Sequence, residues 1–179
     1  MSVDVHGYAI VSRDDRIADA SGAMPEGLRN AADWAYFQAE LDLCDWVALG
    51  RLSHEAAPNP RRRRRLIVSN ATRGLEPRAD GWWWRPEDVA FAEVAARLLP
   101  VGGRLAVPGG QGVFGLFLGL GYAAFHLARA EGVSLPGGRR IFAEADSADA
   151  TLRRAGLTPG PPRWLDQPAL VSLTVYARA

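Results

Sequence analysis

Arg104-Leu-Ala-Val-Pro-Gly-Gly-Gln-Gly-Val-Phe-Gly-Leu-Phe117 is the stretch that decides the fold. Leu105–Val107 is a short apolar run that predicts a buried parallel strand, and glycines at 109, 110 and 112 crowd the turn after it. Val113, Phe114, Leu116, Phe117 and Leu118 then open a helix with at least one buried face. Glycines where a strand hands over to a helix let the backbone approach a ligand, and the free N–H groups of a helix N-terminus suit phosphate. The segment 110–115 also satisfies G-x-G-x-x-G spacing, although the same glycines would equally serve close helix–strand packing. A doubly wound dinucleotide domain carries that fingerprint in its first βαβ unit and follows it with a second half. Here only about a third of the chain follows, so that architecture is excluded. A cofactor turn in some other α/β sheet stays open.

Upstream of this turn, Glu87–Leu99 predicts a helix with Pro86 at its start and Val89, Val94 and Leu98 at core spacing. Trp82-Trp83-Trp84 reads as a strand with aromatic side chains on both faces, and Leu66–Ser69 and Asp45–Leu49 as further strands. Between them, five consecutive arginines at 61–65 read as a solvated, self-repelling loop rather than a site. Ala31–Leu43 predicts a helix with Trp34, Phe37 and Leu41 on one face, and Asn30 suits its N-cap. The first strand is Gly7–Ser12, followed by a charged turn and a long loop over 19–30. Downstream, Ala123–Ala130 is a strand, Ile141–Phe142 a short extended piece, and 158–162 a Pro-rich loop. Leu170–Ala177 alternates Val171, Leu173 and Val175 with Ser172, Thr174 and Tyr176, the pattern of a half-buried antiparallel strand. Strands alternating with helices early and without them late predict an α/β fold with a mixed sheet, parallel at its centre and antiparallel at its finish.

At 179 residues the chain is expected to be one domain, 1–179, with a core that needs no staples. A formal net charge of +1 gives no reason to expect nucleic acid or a membrane surface as partner. All 21 basic residues are arginine, which excludes lysine chemistry such as a Schiff base or a P-loop lysine. The lone Cys44 excludes an internal disulfide and a thiolate metal cluster, and it reads as a small core residue. His6, His54 and His126 are too dispersed for a local metal motif, and His126 reads as structural. No metal is expected. The first residues lack a signal peptide's basic and apolar regions, and the longest apolar run, 113–127, is interrupted by four glycine or histidine residues. The expectation is a soluble cytoplasmic protein, monomer or homodimer.

Taken together, this order of parts resembles the dihydrofolate reductase-like fold, which includes the reductase domain of riboflavin biosynthesis. The opening Ala9-Ile-Val-Ser-Arg-Asp-Asp-Arg-Ile-Ala18 resembles that family's first strand and the turn into its active-site loop, and Met24-Pro25 sits where the loop carries its Met-Pro pair. Asp33-Trp-Ala-Tyr-Phe37 is similar to the acid-bearing helix, and Leu49-Gly-Arg-Leu-Ser53 with Glu55 to the Met-Gly-Arg-x-Thr-x-Glu segment. Gly109-Gly-Gln-Gly-Val-Phe114 is similar to the Gly-Gly-x-x-Val-Tyr turn that approaches the NADPH pyrophosphate. The sequence departs from the pattern at Glu26, in place of a tryptophan, in two extra residues between Met24 and Asp33, and at Ala128, in place of a threonine. All three departures fall at the substrate end.

The resemblance implies a three-layer sheet and an NADPH-dependent reductase delivering hydride to a C=N bond. It implies Asp33 as the catalytic acid and Ala9, Ile10, Met24, Phe37 and Arg63 (or its neighbour Arg62) at the substrate. For the cofactor it implies Ala18, Gly50, Arg51, Ser53, Ser69, Asn70, Gly109, Gly110, Gln111, Gly112, Val113 and Phe114. The chemistry is consistent with these residue types. A carboxyl in an apolar pocket has a raised pKa and can favour protonation of an imine nitrogen; a guanidinium fork at a strand's carboxyl end matches phosphate oxygens. An Asp33 that merely stabilises a helix N-terminus is the competing reading. Dihydrofolate is the first expected substrate and an aminopyrimidine ribityl or ribosyl phosphate the second; a nucleotide-binding domain without chemistry is the third reading.

Overall fold

The computed structural model describes residues 2–144 and 146–178. In chain order the elements are β1 Val3–Ser12, β2 Arg16–Ala18, a 3-10 turn at Glu26–Leu28, α1 Ala31–Leu41, β3 Trp46–Gly50, α2 Arg51–Ala56, β4 Arg65–Val68, β5 Leu75–Arg78, β6 Gly81–Trp84, α3 Phe91–Leu98, β7 Gly103–Gly109, α4 Gln111–Leu120, β8 Ala124–Ala130, β9 Arg139–Arg140, α5 Ala148–Arg154, β10 Thr158–Pro159, β11 Arg163–Asp166 and β12 Val171–Ala177. The main sheet runs β10-β12-β8-β1-β7-β3-β4-β6-β5, with β11 also on β12. From β8 to β6 every pairing is parallel, and both edges are antiparallel. The expected mixed sheet is therefore present, with an additional antiparallel edge at β5.

Period-two alternation sorts the strand residues into two cores. Under α1 lie Tyr8, Val47, Leu49 and Ala106, with Phe37 packed on them, and beside them Ile10, Leu28, Ala128 and Leu173. On the opposite face Val5, Val11, Leu66, Leu105 and Phe125 meet Val94 of α3, Phe114 and Phe117 of α4 and Leu152 of α5. Trp84, Phe91 and Phe117 close this core with ring centroids 5.3–6.2 Å apart. Each such side chain contributes about 1.5–3 kcal/mol by burial. Gly7 is dictated by register: it pairs with Phe125, whose ring lies 2.2 Å from where a Cβ would sit.

Several expectations change. Residues 51–56 form a helix where no element was expected, because the chain leaves β3 directly through the glycine N-cap Gly50. The helix expected from Glu87 begins at Phe91, since residues 85–89 form turns on the Arg85 carbonyl. Ile141 and Phe142 are not extended; the strand is Arg139–Arg140, and both apolar residues are buried. Helix α5 lies where no element was expected, capped by the Ser147 hydroxyl. β5, β10 and β11 were also hidden, the first two by prolines within the strand. Trp34 is 61% exposed at the rim of α1, so the inward face is carried by Phe37 and Leu41 without it. Tyr176 is buried rather than solvent-facing, its hydroxyl donating to Asp149 of α5 at 2.8 Å. The arginine run is solvated only in part, at Arg61, Arg62 and Arg64. Arg61 and Arg63 pair with Asp42, and Arg65 is buried on the carbonyls of Ala57 and Pro58.

Candidate active site at the carboxyl ends of the strands

Parallel strands gather their carboxyl ends at one edge, where open α/β sheets receive ligands. Gly109 ends β7 and Gly110 takes φ +86°, a left-handed conformation that suits glycine and reverses the chain in one residue. The first intrahelical bond of α4 runs from the Phe114 N–H to the Gly110 carbonyl at 2.9 Å. The amides of Gln111, Gly112 and Val113 thus stand ahead of the ladder, and no side chain caps the helix. A Cβ at Gly109 or Gly112 would meet nothing within 4 Å, so the turn is open and its own side chains do not plug it. The end of β3 lies alongside. Val113 Cγ2 is 3.4 Å from a Cβ position at Gly50, and Ser53 Oγ is 3.9 Å from one at Gly110.

The other expected cofactor residues fall into distinct groups. Phe114 is buried against Phe125 and Phe142, so its side chain belongs to the core and only its backbone to the turn. Val113 is buried as well, and Gln111 donates to the Arg140 carbonyl at 3.0 Å, tying α4 to β9. Arg51 points both its contacts at Glu55, 2.9 and 3.1 Å away, on an exposed turn of helix. Ser69 Oγ accepts from the Ala71 amide, Asn70 is exposed, and Ala18 is buried in β2.

Across the edge, α1 begins just after the turn that carries buried Leu28. Asn30 Oδ1 accepts from the Ala32 and Asp33 amides at 3.0 Å each, while its Nδ2 donates to Asp166 of β11 at 2.9 Å. This double cap fixes Asp33 in the first turn. Among the described residues the Asp33 carboxyl has no hydrogen-bond or ion-pair partner, and burial pushes its pKa up to about 6. Phe37, one turn on, lies between Trp34 and Tyr8 with centroids at 5.7 and 5.9 Å. Ile10 joins Leu28 and Ala128 in an apolar floor. Ala9 faces the other core, so only its backbone is on this side. Met24 is 43% exposed in the loop. Arg63 is held by the Gln38 side chain at 2.8 Å and by Asp42 at 2.6 Å, along the later half of α1.

Sequence reasoning missed a polar chain beneath Asp33. Tyr36 Oη lies 2.5 Å from His126 Nδ1, and His126 Nε2 lies 3.2 Å from His6 Nδ1. Tyr8 donates to Glu40 at 3.2 Å beside it. Burial, followed by His6 and Arg104 for His126 and by Arg104 for His6, lowers His126 to about 3 and His6 to about 4, so both imidazoles are neutral at pH 7. Burial pushes the Tyr36 phenol up to about 12. Residues 6, 36 and 126 share no sequence pattern; only the β1–β8 register, Tyr8 opposite His126, brings them together. Two hollows of about 630 and 550 Å3 lie at the amino-terminal ends of the strands, away from the glycine turn.

No family model matches the chain, and no curated protein does. Solved structures do, and their likeness shows a dihydrofolate reductase-like fold. A protein from Shewanella sp. PV-4, described as a riboflavin biosynthesis protein, is 18% identical with a TM-score of 0.66, covering 99% of each chain. A diaminohydroxyphosphoribosylaminopyrimidine deaminase/5-amino-6-(5-phosphoribosylamino)uracil reductase from Thermotoga maritima is 13% identical with a TM-score of 0.70, over 99% of this chain and 57% of that one. Dihydrofolate reductase from Enterococcus faecalis, complexed with NADP(H) and RAB-propyl, is 16% identical with a TM-score of 0.68, over 98% and 96%. Among the described residues no helix is long and apolar enough to cross a membrane, and no group of three or more His, Cys, Asp or Glu residues could hold a metal.

Proposed function

We propose that this protein is an NADPH-dependent reductase acting on a C=N bond of a planar heterocycle, with dihydrofolate as the first substrate to test. The observation that carries the reading is the pairing, at one sheet edge, of an open glycine turn with a half-buried, unpartnered Asp33. NADPH fits the turn: bare backbone at Gly109 and Gly112 lets a diphosphate approach the amides of Gln111, Gly112 and Val113, and Ser53 stands beside them. When bound, the cofactor supplies the hydride. Asp33, protonated over much of the range below about pH 6, holds a proton beside an apolar floor and favours the protonated heterocycle nitrogen. Phe37 and Ile10 stack and seat a flat ring and exclude water. Arg51 exchanges Glu55 for a phosphate at the cost of an exposed ion pair, which is small.

The likeness to the Thermotoga and Shewanella structures favours a second reading, reduction of an aminopyrimidine ribosyl or ribityl phosphate. The Ala128 position supports it too, since Ala128 gives the floor no hydroxyl. Oxidation of NADPH is followed by its near-ultraviolet absorbance with dihydrofolate and with the pyrimidine phosphate, in the parent and in Asp33→Asn. Turnover with either that collapses in Asp33→Asn supports the reductase and chooses its substrate. Tight NADPH binding without turnover on either supports a nucleotide-binding protein, and no thermal stabilisation by NADPH removes the reading altogether.

A further inference from the structure

At the amino-terminal ends of β3, β4 and β6 lies the cleft of about 550 Å3, bordered by Trp46, His54, Arg62, Arg64, Arg78 and Asp80. Its volume is that of a small-ligand site. Most of its charges are already engaged. Asp80 accepts from Trp83 Nε1 at 3.0 Å through one oxygen and contacts His54 Nε2 at 2.9 Å through the other. Arginine can only donate, so the 3.0 Å contact of Arg65 with His54 Nδ1 makes that nitrogen the acceptor and places the imidazole proton on Nε2, towards Asp80. Arg65 donates also to the Ala57 and Pro58 carbonyls, Arg63 is held by Gln38 and Asp42, and Arg78 by Glu76.

Arg62 and Arg64 are left. Both are exposed, and among the described residues neither pairs with a carboxylate; Arg64 lies over the Trp46 ring at 5.9 Å. The loop that presents them is rigidly built. Asn59 Oδ1 accepts from the Arg63 amide at 3.0 Å, its Nδ2 donates to the Arg63 carbonyl at 2.8 Å, and its own carbonyl accepts from the Arg62 amide at 3.0 Å. Arg62 is thereby held at φ +50°, a conformation that costs a side-chain-bearing residue and that surrounding structure must enforce.

We propose that this cleft is an anion site, separate from the glycine turn, that takes the di- or triphosphate group of a small molecule through Arg62 and Arg64. Two guanidinium groups that pair with no carboxylate, in a cleft whose one carboxylate, Asp80, is turned to Trp83 and His54, call for a ligand bearing more than one negative charge, and their forked donors match phosphoryl oxygens. A net charge of +1 over the whole chain leaves no extended basic track for a nucleic acid, whereas a compact polyanion needs only this one cleft.

The test is calorimetric titration of the full chain with inorganic pyrophosphate at low salt, repeated with ADP, for the parent and for Arg62→Gln/Arg64→Gln. Pyrophosphate is expected to bind the parent, to weaken at least tenfold in the double variant, and to weaken with added salt. The NADPH-induced thermal shift is expected to stay the same in both proteins. ADP binding more tightly than pyrophosphate marks a nucleoside-borne phosphate; ADP binding no tighter marks a free polyphosphate. Arg62→Gln alone, which removes no packing, is expected to weaken pyrophosphate in the same direction by less. Absence of binding, or equal affinity in parent and double variant, overturns the site. So does a parallel loss of the NADPH shift, which would assign both arginines to the cofactor end. Pyrophosphate binding is read without NADPH, so a failed reductase assignment leaves this outcome intact.

Discussion

The glycine turn and the underside of α1 face the same sheet edge and are built by opposite means. The turn is backbone: Gly109 and Gly112 present open space, and the side chains of Val113 and Phe114 are withdrawn into the core. The underside of α1 is side chain, with Tyr36, Phe37 and Glu40 meeting Tyr8 and His126 from two strands and Asp33 a turn before them. A backbone site is a local property of one short segment. A side-chain site is a property of register, helix phase and several distant positions at once.

The sharpest way to break this contrast is to give the turn a side chain. Gly112→Val introduces no clash within the protein, so the variant is expected to fold with an unchanged melting point in the absence of ligand. It should lose about a hundredfold or more in NADPH affinity by fluorescence titration, the value of one or two charge-assisted hydrogen bonds. A variant that binds NADPH as the parent does would show that the turn is packing alone.

Asp33→Asn attacks the other region. Turnover should fall by about a hundredfold or more while NADPH affinity holds within about twofold. Stability should move the other way. A carboxyl raised from 3.8 in the unfolded chain to about 6 in the fold contributes stability below 3.8 that is lost as pH rises through 6. At pH 8 the ionised Asp33 therefore costs about 2–3 kcal/mol, and urea titration of Asp33→Asn should recover about that much. Equal stability of the two proteins at pH 8 would place the carboxyl in water.

The buried imidazoles carry the opposite sign. With folded values near 3 and 4 against 6.5 unfolded, His126 and His6 contribute stability that is present above 6.5 and lost as pH falls towards 4. His126→Leu is expected to lose about 1–2 kcal/mol at pH 7, because the Tyr36 hydroxyl loses its partner, and to show a shallower acid decline by calorimetry. The smallest effect belongs to Arg51→Gln, which should reduce the preference for NADPH over NADH by roughly threefold to tenfold, measured as the ratio of the two dissociation constants. Its exposed pair with Glu55 makes little contribution to stability.

The contrast also explains what could be read from the chain. Gly109, Gly110 and Gly112 were legible because each acts through its own backbone, and Asn30 because a cap is a local device. Asp33 was legible through its place in the first turn of a helix with Phe37 four residues on. Tyr36 and His126 were not, since their meeting depends on the pairing of β1 with β8 and on the rotation of α1 about its axis. Helix α2 was hidden because glycine at a strand end resembles a turn, and β5 and β10 because Pro77 and Pro159 argue against strands everywhere except at edges, where both lie. The arginine run misled by its uniformity: four of the five identical letters meet Asp42, Gln38, Trp46 and two carbonyls while the Arg62 side chain stays exposed, and repulsion in sequence says nothing of partners brought by the fold.

The hydrogen bond from Asn30 to Asp166 joins the helix that carries the candidate acid to a strand more than a hundred residues later. During synthesis the parallel centre of the sheet can assemble while that strand is still inside the ribosome, so the acid's helix gains its last anchor only when the final hairpin emerges. The anchoring of Asp33 is thereby tied to the arrival of β11 and β12, and a nascent or clipped protein lacking those two strands would hold the glycine turn without a fixed carboxyl opposite it.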